Sequence, residues 1–254
     1  MLRIATWNVN SIRVREPHVL DFLRRQEPDV LCLQETKVVD DDFPTDELQR
    51  LGYAVAMAGQ RTYNGVAIVS RLPFTEVRVG LVDDAPDAER RLIAATVRGV
   101  RVYSAYVPNG KEVGAPSFRA KLAWLDRLGA TLDAAGELPA VIGGDFNIAR
   151  DERDVHDPVA YRGQLHFHPD EHAALERLLG RGLKDAFRLH EPAAGHYSWW
   201  DYRGTSLARN QGLRIDYLFL SAPLAARCRA ARMHPEERRR DRPSDHVPVV
   251  ADLD

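Results

Sequence analysis

The chain has 254 residues, 44% hydrophobic and 28% charged. That globular composition excludes disorder and collagen-like repeats, and two cysteines, Cys32 and Cys228, are too few for a disulfide scaffold or a CxxC zinc site. The net charge of −2 is unevenly spread, +3 over residues 181–254 and −5 over residues 1–180, so a basic face can exist on a mildly acidic protein, although a solvated surface explains the same numbers.

The first apolar run, Leu2–Trp7, reads as a strand. Asn8 and Asn10 interrupt it too early for a signal peptide, and no later stretch approaches the ~20 apolar residues of a membrane span. A cytoplasmic protein with no membrane partner is expected. Glu16–Arg25 follows with Val19, Leu20, Phe22 and Leu23 at helical spacing. Strand-like runs rich in β-branched residues come next at Val30–Leu33, Tyr53–Met57, Val66–Val69, Leu92–Val97 and Val102–Val107. Ser117–Ala135 places Phe118, Leu122, Leu125, Leu128 and Leu132 at steps of three or four, after a serine able to cap. A strand at Ala140–Ile142 and a helix at Pro169–Leu179 precede the last strands, Ile215–Leu220 and Val247–Ala251. Strands alternate with helices in some places and follow one another as hairpins in others. That mixture predicts an α/β sandwich of mixed sheets rather than a doubly wound parallel fold. No linker or fixed-period repeat divides the chain, so one domain spanning 1–254 is expected. Long irregular stretches at 80–91, 107–116, 150–168 and 201–212 are candidates for functional loops.

Polar residues gather where strands end. Leu2–Trp7 runs into Asn8, Val30–Leu33 into Glu35, Val102–Val107 contains Tyr106 and leads to Asn109, and Ala140–Ile142 runs through two glycines into Asp145 and Asn147. Ligands of α/β sheets sit in the crevice outside such ends. Each residue alone also reads as a turn former. Asp216 is different, because a carboxylate inside the run Leu213–Leu220 is costly to bury unless paired. His246, just before the last strand, is a fitting partner; a buried polar network without catalysis is the other reading. Glu35, Asp145 and Asp245 are hard oxygen donors of the kind Mg²⁺ prefers, and the amides of Asn8, Asn109 and Asn147 can orient phosphate oxygens or water. No P-loop, GxGxxG or cysteine nucleophile competes. The set suggests metal-assisted hydrolysis of a phosphate ester by water.

Seven stretches in order carry a resemblance: Thr6-Trp-Asn-Val-Asn-Ser-Ile-Arg13, Leu33-Gln-Glu-Thr-Lys37, Tyr106-Val-Pro-Asn109, Gly143-Gly-Asp-Phe-Asn-Ile-Ala149, Ser198-Trp-Trp-Asp-Tyr-Arg203, Gly212-Leu-Arg-Ile-Asp-Tyr217 and Pro243-Ser-Asp-His246. The chain resembles the bacterial branch of the exonuclease III family of abasic-site endonucleases, within the endonuclease/exonuclease/phosphatase superfamily. The resemblance implies a four-layer αββα sandwich of two packed mixed sheets flanked by helices. It implies Mg²⁺, with Mn²⁺ as a substitute, held at Glu35 and Asn8, with Asp145, Asn147, Asp245 and His246 in or beside the metal site. Asp145 would position the attacking water, Asn147 would orient the phosphate, Asp216 would pair with His246, Tyr106 would stabilise the transition state, and Asn109 would bind phosphate. Arg13, Lys37, Tyr63, Arg90 and Arg91 would meet the DNA backbone. Trp199, Leu213 and Ile215 would receive a flipped abasic sugar, with core packing the alternative for Trp199 and the favoured reading for Trp200.

The implied activity is hydrolysis of double-stranded DNA 5′ to abasic sites by a monomer. Trimming of blocked 3′ ends, as phosphatase, phosphodiesterase or 3′→5′ exonuclease, would accompany it. Leu213, Arg203 and Asn10 depart from residues that some relatives carry, which leaves the grip on the abasic sugar open. Rival readings are a 3′-end-processing enzyme with weak abasic-site cleavage, a phosphoesterase on a non-DNA substrate, and a DNA-end binder without catalysis. The Arg-rich stretch 238–242 offers either a phosphate clamp or a solvated turn.

Overall fold

In a computed structural model, which describes residues 1–136 and 138–254, strand pairing sorts the apolar runs into two sheets. The elements in chain order are β1 (Leu2–Asn8), α1 (Ile12–Gln26), β2 (Val30–Gln34), α2 (Thr45–Arg50), β3 (Ala54–Ala58), β4 (Val66–Ser70), β5 (Phe74–Val79), β6 (Leu92–Val97), β7 (Val100–Tyr106), α3 (Pro116–Ala134), β8 (Ala140–Asp145), α4 (Pro158–Tyr161), α5 (Pro169–Leu179), β9 (Lys184–Asp185), β10 (Asp216–Leu220), α6 (Ala222–Ala225), β11 (Cys228–Met233) and β12 (Val249–Leu253). One six-stranded sheet has the order β11-β12-β1-β2-β4-β3, the other β5-β6-β7-β8-β10-β9. Each is mixed, with a single parallel pair: β1 with β2, and β7 with β8.

The strands read as unbroken apolar runs because both faces are covered. Alternate side chains point opposite ways. Ile4, Val30, Cys32 and Ile68 of the first sheet meet Val102, Val141, Leu218 and Leu220 of the second in the central core. The other face of the second sheet, including Ile142, Tyr217 and Phe219, packs on Leu125 and Leu128 of α3 and Leu175 and Leu178 of α5. Ala5, Leu31 and Leu33 of the first sheet pack on Val19, Phe22 and Leu23 of α1. These three apolar layers make the predicted four-layer αββα sandwich. Leu218 is 1% exposed in the central layer. Leu218→Ala is expected to cost about 2–5 kcal/mol, read as a lower urea midpoint at unchanged slope.

Three strands escape a reading based on apolar runs, and all are sheet edges: β5, β9 and β11. β5 is exposed along most of its length, β11 reads Cys-Arg-Ala-Ala-Arg-Met, and β9 has two residues. An edge strand needs only one partner and one packed face, so its pattern is weak. The helix predicted to start after a capping serine begins at Pro116 instead. Ala115 holds the N-cap position, and Ser117 Oγ donates to Gly110 O at 2.7 Å. Proline at the first turn needs no N–H, so its fixed φ sets the start without a side-chain cap. At α5, the His168 side chain accepts from Asp170 N–H, and Glu171 accepts from His168 N–H in a capping box after which Pro169 follows.

Two glycines stand in β8 where its neighbours come close. A Cβ on Gly143 would lie 3.2 Å from Thr6 Cβ and 3.4 Å from Cys32 Cβ, and one on Gly144 would strike Ala105 O of β7. Gly143 therefore lets β1 and β2 of the other sheet close onto β8, and Gly144 lets its own neighbour β7 come close, just before Asp145. A buried polar tie sits at the same level: Gln34 Nε2 donates to Thr6 Oγ1 and Ser104 Oγ, both at 3.0 Å. No helix among the described residues is long and apolar enough to cross a membrane.

Candidate active site

The carboxyl ends of the two parallel pairs lie at one edge of the sandwich. Register then aligns three strands: Tyr106 is opposite Asp145, and Asp145 is opposite Asp216. These three residues share one rung across β7, β8 and β10. Asn8 ends β1 across from Gln34, and Glu35 follows β2 immediately. The loop before β12 brings His246, whose backbone bridges Trp199.

His246 Nδ1 donates to Asp216 Oδ2 at 2.9 Å, and its Nε2 faces Asp145 Oδ2 at 3.8 Å. Asp216 Oδ2 also accepts from Ser198 Oγ at 2.6 Å, and Ser198 Oγ accepts from the N–H groups of Ile215 and Asp216. Carboxylate, imidazole and second carboxylate are all buried. Asp145 Oδ1 accepts from Asn147 N–H at 2.9 Å, and Oδ2 accepts from Asn8 Nδ2 at 2.9 Å and Asn147 Nδ2 at 3.3 Å. Asn8 Nδ2 donates also to Glu35 Oε1 at 2.8 Å, while its oxygen accepts from Asn10 N–H. The Asn8 amide thus turns its N–H pair, not its oxygen, toward both carboxylates.

Charge follows from this packing. Burial pushes the Asp145 carboxyl up to about 7, against the pull of His246. Burial alone would lower His246, but Asp216 and Asp145 reverse it and hold the imidazolium up to about 10. Burial also works against an ionised Glu35, yet Lys37 and Asn8 keep that carboxyl below its ordinary value. The Tyr106 phenol is raised by burial and then by Glu35 and Asp145, so it stays a proton donor at neutral pH.

Ligand atoms of Glu35, Asp145 and His246 lie within 4.8 Å of one another. Asp245 is outside that cluster: its oxygens accept from Asn10 Nδ2 at 2.9 Å and Trp199 Nε1 at 3.0 Å. Lys37 Nζ sits 2.7 Å from Glu35 Oε2 and donates to Asn10 Oδ1 at 2.6 Å. Four carboxylates thus share this edge with two cationic side chains, Lys37 and His246. Hard oxygen donors in negative excess fit a divalent cation of the Mg²⁺ type.

Backbone conformation is unusual around the cluster. Asn10, Ser11, Glu35, Lys37 and Asn147 all have positive φ, which a side chain tolerates at a cost. Asn147 is held there by every polar group it has. Its Oδ1 accepts from Asn109 Nδ2 at 3.1 Å, its Nδ2 donates to Val107 O at 3.0 Å, and its carbonyl accepts from Lys121 Nζ at 2.7 Å and His166 Nδ1 at 2.6 Å. Burial pulls His166 down to about 3, so its ring is neutral and Nδ1 carries the proton.

The surrounding cations vary in freedom. Arg13 pairs with Asp42 and lines a cavity of about 190 Å³ with Lys37 and Arg61. Tyr63 is 68% exposed. Arg90 donates to Pro86 O, and the Arg91 guanidinium lies 4.7 Å from the Tyr106 ring centre. In the stretch 238–242, Arg240 pairs with Asp21 and Glu237, and Arg238 lies over Tyr202. Leu213 and Ile215 are 1% and 2% exposed among Ala149, Val155 and Phe167, with half-buried Trp199 packed against them. Trp200 is buried beside Tyr197 and Val247, a core role.

Ser198, Lys121 and His166 were not singled out from the sequence. Ser198 opens one of the seven stretches, which was a usable signal. Lys121 on a helix face and His166 in a long loop carried none.

Two mixed sheets meeting at an acidic, histidine-containing edge define a hydrolase class, and the chain belongs to the endonuclease/exonuclease/phosphatase family, which matches residues 5–246. Exodeoxyribonuclease III of Haemophilus influenzae is 34% identical over 99% of this chain and 100% of that protein. The solved 3′ phosphatase NExo from Neisseria, bound to a product DNA hairpin, superposes with a TM-score of 0.97 at 41% identity, covering 100% of both chains. An AP endonuclease from Archaeoglobus fulgidus does so at 0.96 and 39%, again with 100% of both chains covered.

Proposed function

We propose that this chain is a single-domain, monomeric DNA repair nuclease. It hydrolyses phosphate esters of double-stranded DNA, phosphodiesters at abasic sites and phosphomonoesters or phosphodiesters at blocked 3′ ends, with Mg²⁺ as cofactor. The observation that carries the reading is the Tyr106–Asp145–Asp216 rung facing Glu35 and His246, in a chain that matches nucleases of this kind along its full length. Glu35 and Asp145 would hold the cation, which when bound would supply positive charge for phosphate-ester hydrolysis. Asp145 Oδ2 takes the proton of the attacking water. His246, kept charged and oriented by Asp216, donates from Nε2 to a phosphate oxygen. Asn109 and Asn147 orient the phosphate, and Tyr106 donates to charge developing in the transition state. Asn8 and Asp245 hold the acidic cluster in place through the contacts already described. Arg13, Lys37, Tyr63, Arg90 and Arg91 lie where backbone phosphates pass, which makes binding salt-dependent and indifferent to base sequence.

Lys37 competes with the divalent cation for Glu35. Lys37→Gln is expected to tighten Mg²⁺ binding about two- to fivefold, the ~0.5–1 kcal/mol of a partly exposed ion pair, measured by calorimetry without DNA.

Leu213 and Ile215, expected to receive the extruded sugar, lie in an apolar cluster with Val155 and Phe167, against which half-buried Trp199 packs. The test is phosphate release from a nicked duplex carrying a 3′-phosphate, with Mg²⁺ and then EDTA. Release in Mg²⁺ alone supports the proposal. Hydrolysis of inositol phosphates or sphingolipids without any action on DNA contradicts it.

A further inference from the structure

Lys121 and Glu171 form an ion pair with both side chains 0% exposed, between α3 and the first turn of α5. Burying a charge pair costs desolvation that its attraction often fails to recover, so such a pair is weak evidence for stability. Its contacts show what else it does. The Lys121 ammonium has three protons and three acceptors: Glu171 Oε1, Asn147 O at 2.7 Å and Asn109 O at 3.1 Å. The other Glu171 oxygen accepts from His168 N–H at 3.1 Å, so the carboxylate is fixed by the α5 capping box. One ammonium therefore ties the loop after β7 to the loop after β8 and anchors both to two helices.

We infer that Lys121, held by Glu171, is a positioning residue that sets the spacing and aim of the Asn109 and Asn147 amides through their backbone carbonyls. This rests on the proposed phosphate-ester hydrolysis. The two amides already touch, and Asn147 sits at φ 53°, a conformation that its own carbonyl contacts help to hold. Without the ammonium those two carbonyls lose their shared donor. The Asn147 loop then relaxes away from a geometry in which even a 1 Å shift can cost about a hundredfold in rate.

The test is a double-mutant cycle on the full-length protein, using Mg²⁺ and duplex DNA with a 3′-phosphate. Lys121→Met is made together with Glu171→Met, so that no lone charge is buried, and the pair is combined with Asn147→Ala. Circular dichroism and the thermal midpoint check folding. Lys121→Met/Glu171→Met is expected to lower kcat about ten- to a hundredfold with KM within about threefold. In the Asn147→Ala background the same pair is expected to cost at least about threefold less than in the wild type, because one of the two amides it positions is gone. Equal cost in both backgrounds, or unchanged kcat in a folded double variant, overturns the inference. If the double variant does not fold, Glu171→Gln enters the same cycle. It keeps an acceptor for Lys121 but removes the charge, so a loss of kcat that shrinks in the Asn147→Ala background supports the inference and an additive or absent loss overturns it. A wild-type protein inactive on DNA defeats the functional reading itself, an outcome distinct from an additive cycle.

Discussion

Asp145→Asn is expected to lower kcat on DNA about a thousandfold or more, equivalent to about 4 kcal/mol of transition-state stabilisation. Asn keeps the volume and can still accept from Asn147 N–H, so the loop after β8 stays in place. What is lost is the carboxylate that, in the proposed mechanism, takes a proton from water and would help Glu35 hold the cation. The same assignment fixes a pH dependence. Burial pushes the Asp145 carboxyl up to about 7, so the proton acceptor is lost as pH falls through that value. The wild-type rate is expected to decline on the acid side with unit slope. Bound Mg²⁺ moves that limb to lower pH, because the cation favours the ionised carboxylate. Stopped-time assays from pH 5 to 9 at two Mg²⁺ concentrations measure both effects. An acid limb that ignores Mg²⁺ concentration would place the base elsewhere.

The second large effect is shared by two residues. His246→Ala and Asp216→Ala are each expected to cost about a hundred- to a thousandfold in kcat, and the double variant no more than about threefold beyond the worse single. The reason is geometric. Asp216 reaches the reaction only through the 2.9 Å hydrogen bond to His246 Nδ1, which leaves Nε2 directed at Asp145. It also keeps the imidazole charged, up to about 10, so the donor survives across the working pH range. Simple addition of the two losses would show that the carboxylate and the imidazole act separately.

Much of this was legible in the sequence because the central strands bury both faces. Leu2–Trp7, Val30–Leu33 and Ile215–Leu220 announce themselves as apolar runs, and β1, β2 and β10 fall within a residue or two of them. Edge strands β5 and β11 did not, since one open face admits Arg, Glu and Ala. The site residues were visible at strand ends, but their mutual register was not. That Tyr106, Asp145 and Asp216 share a rung depends on a parallel pairing followed by an antiparallel one, which no local pattern specifies. Asp145 after two glycines also read as a turn former, yet in the fold Gly143 lets β1 and β2 of the other sheet close onto β8 and Gly144 lets β7 come close. Lys121 was hidden for a further reason. On a helical repeat a lysine reads as a solvent-facing position, and only the packing of α3 against α5 turns it inward.

The most direct measurement is single-turnover cleavage of a duplex containing one tetrahydrofuran abasic analogue, beside the same duplex ending in a 3′-phosphate and an undamaged control, each in Mg²⁺ and in EDTA. The account predicts Mg²⁺-dependent hydrolysis of the damaged substrates. Absence of metal-dependent hydrolysis on all three duplexes, or hydrolysis that persists unchanged in EDTA, would contradict it.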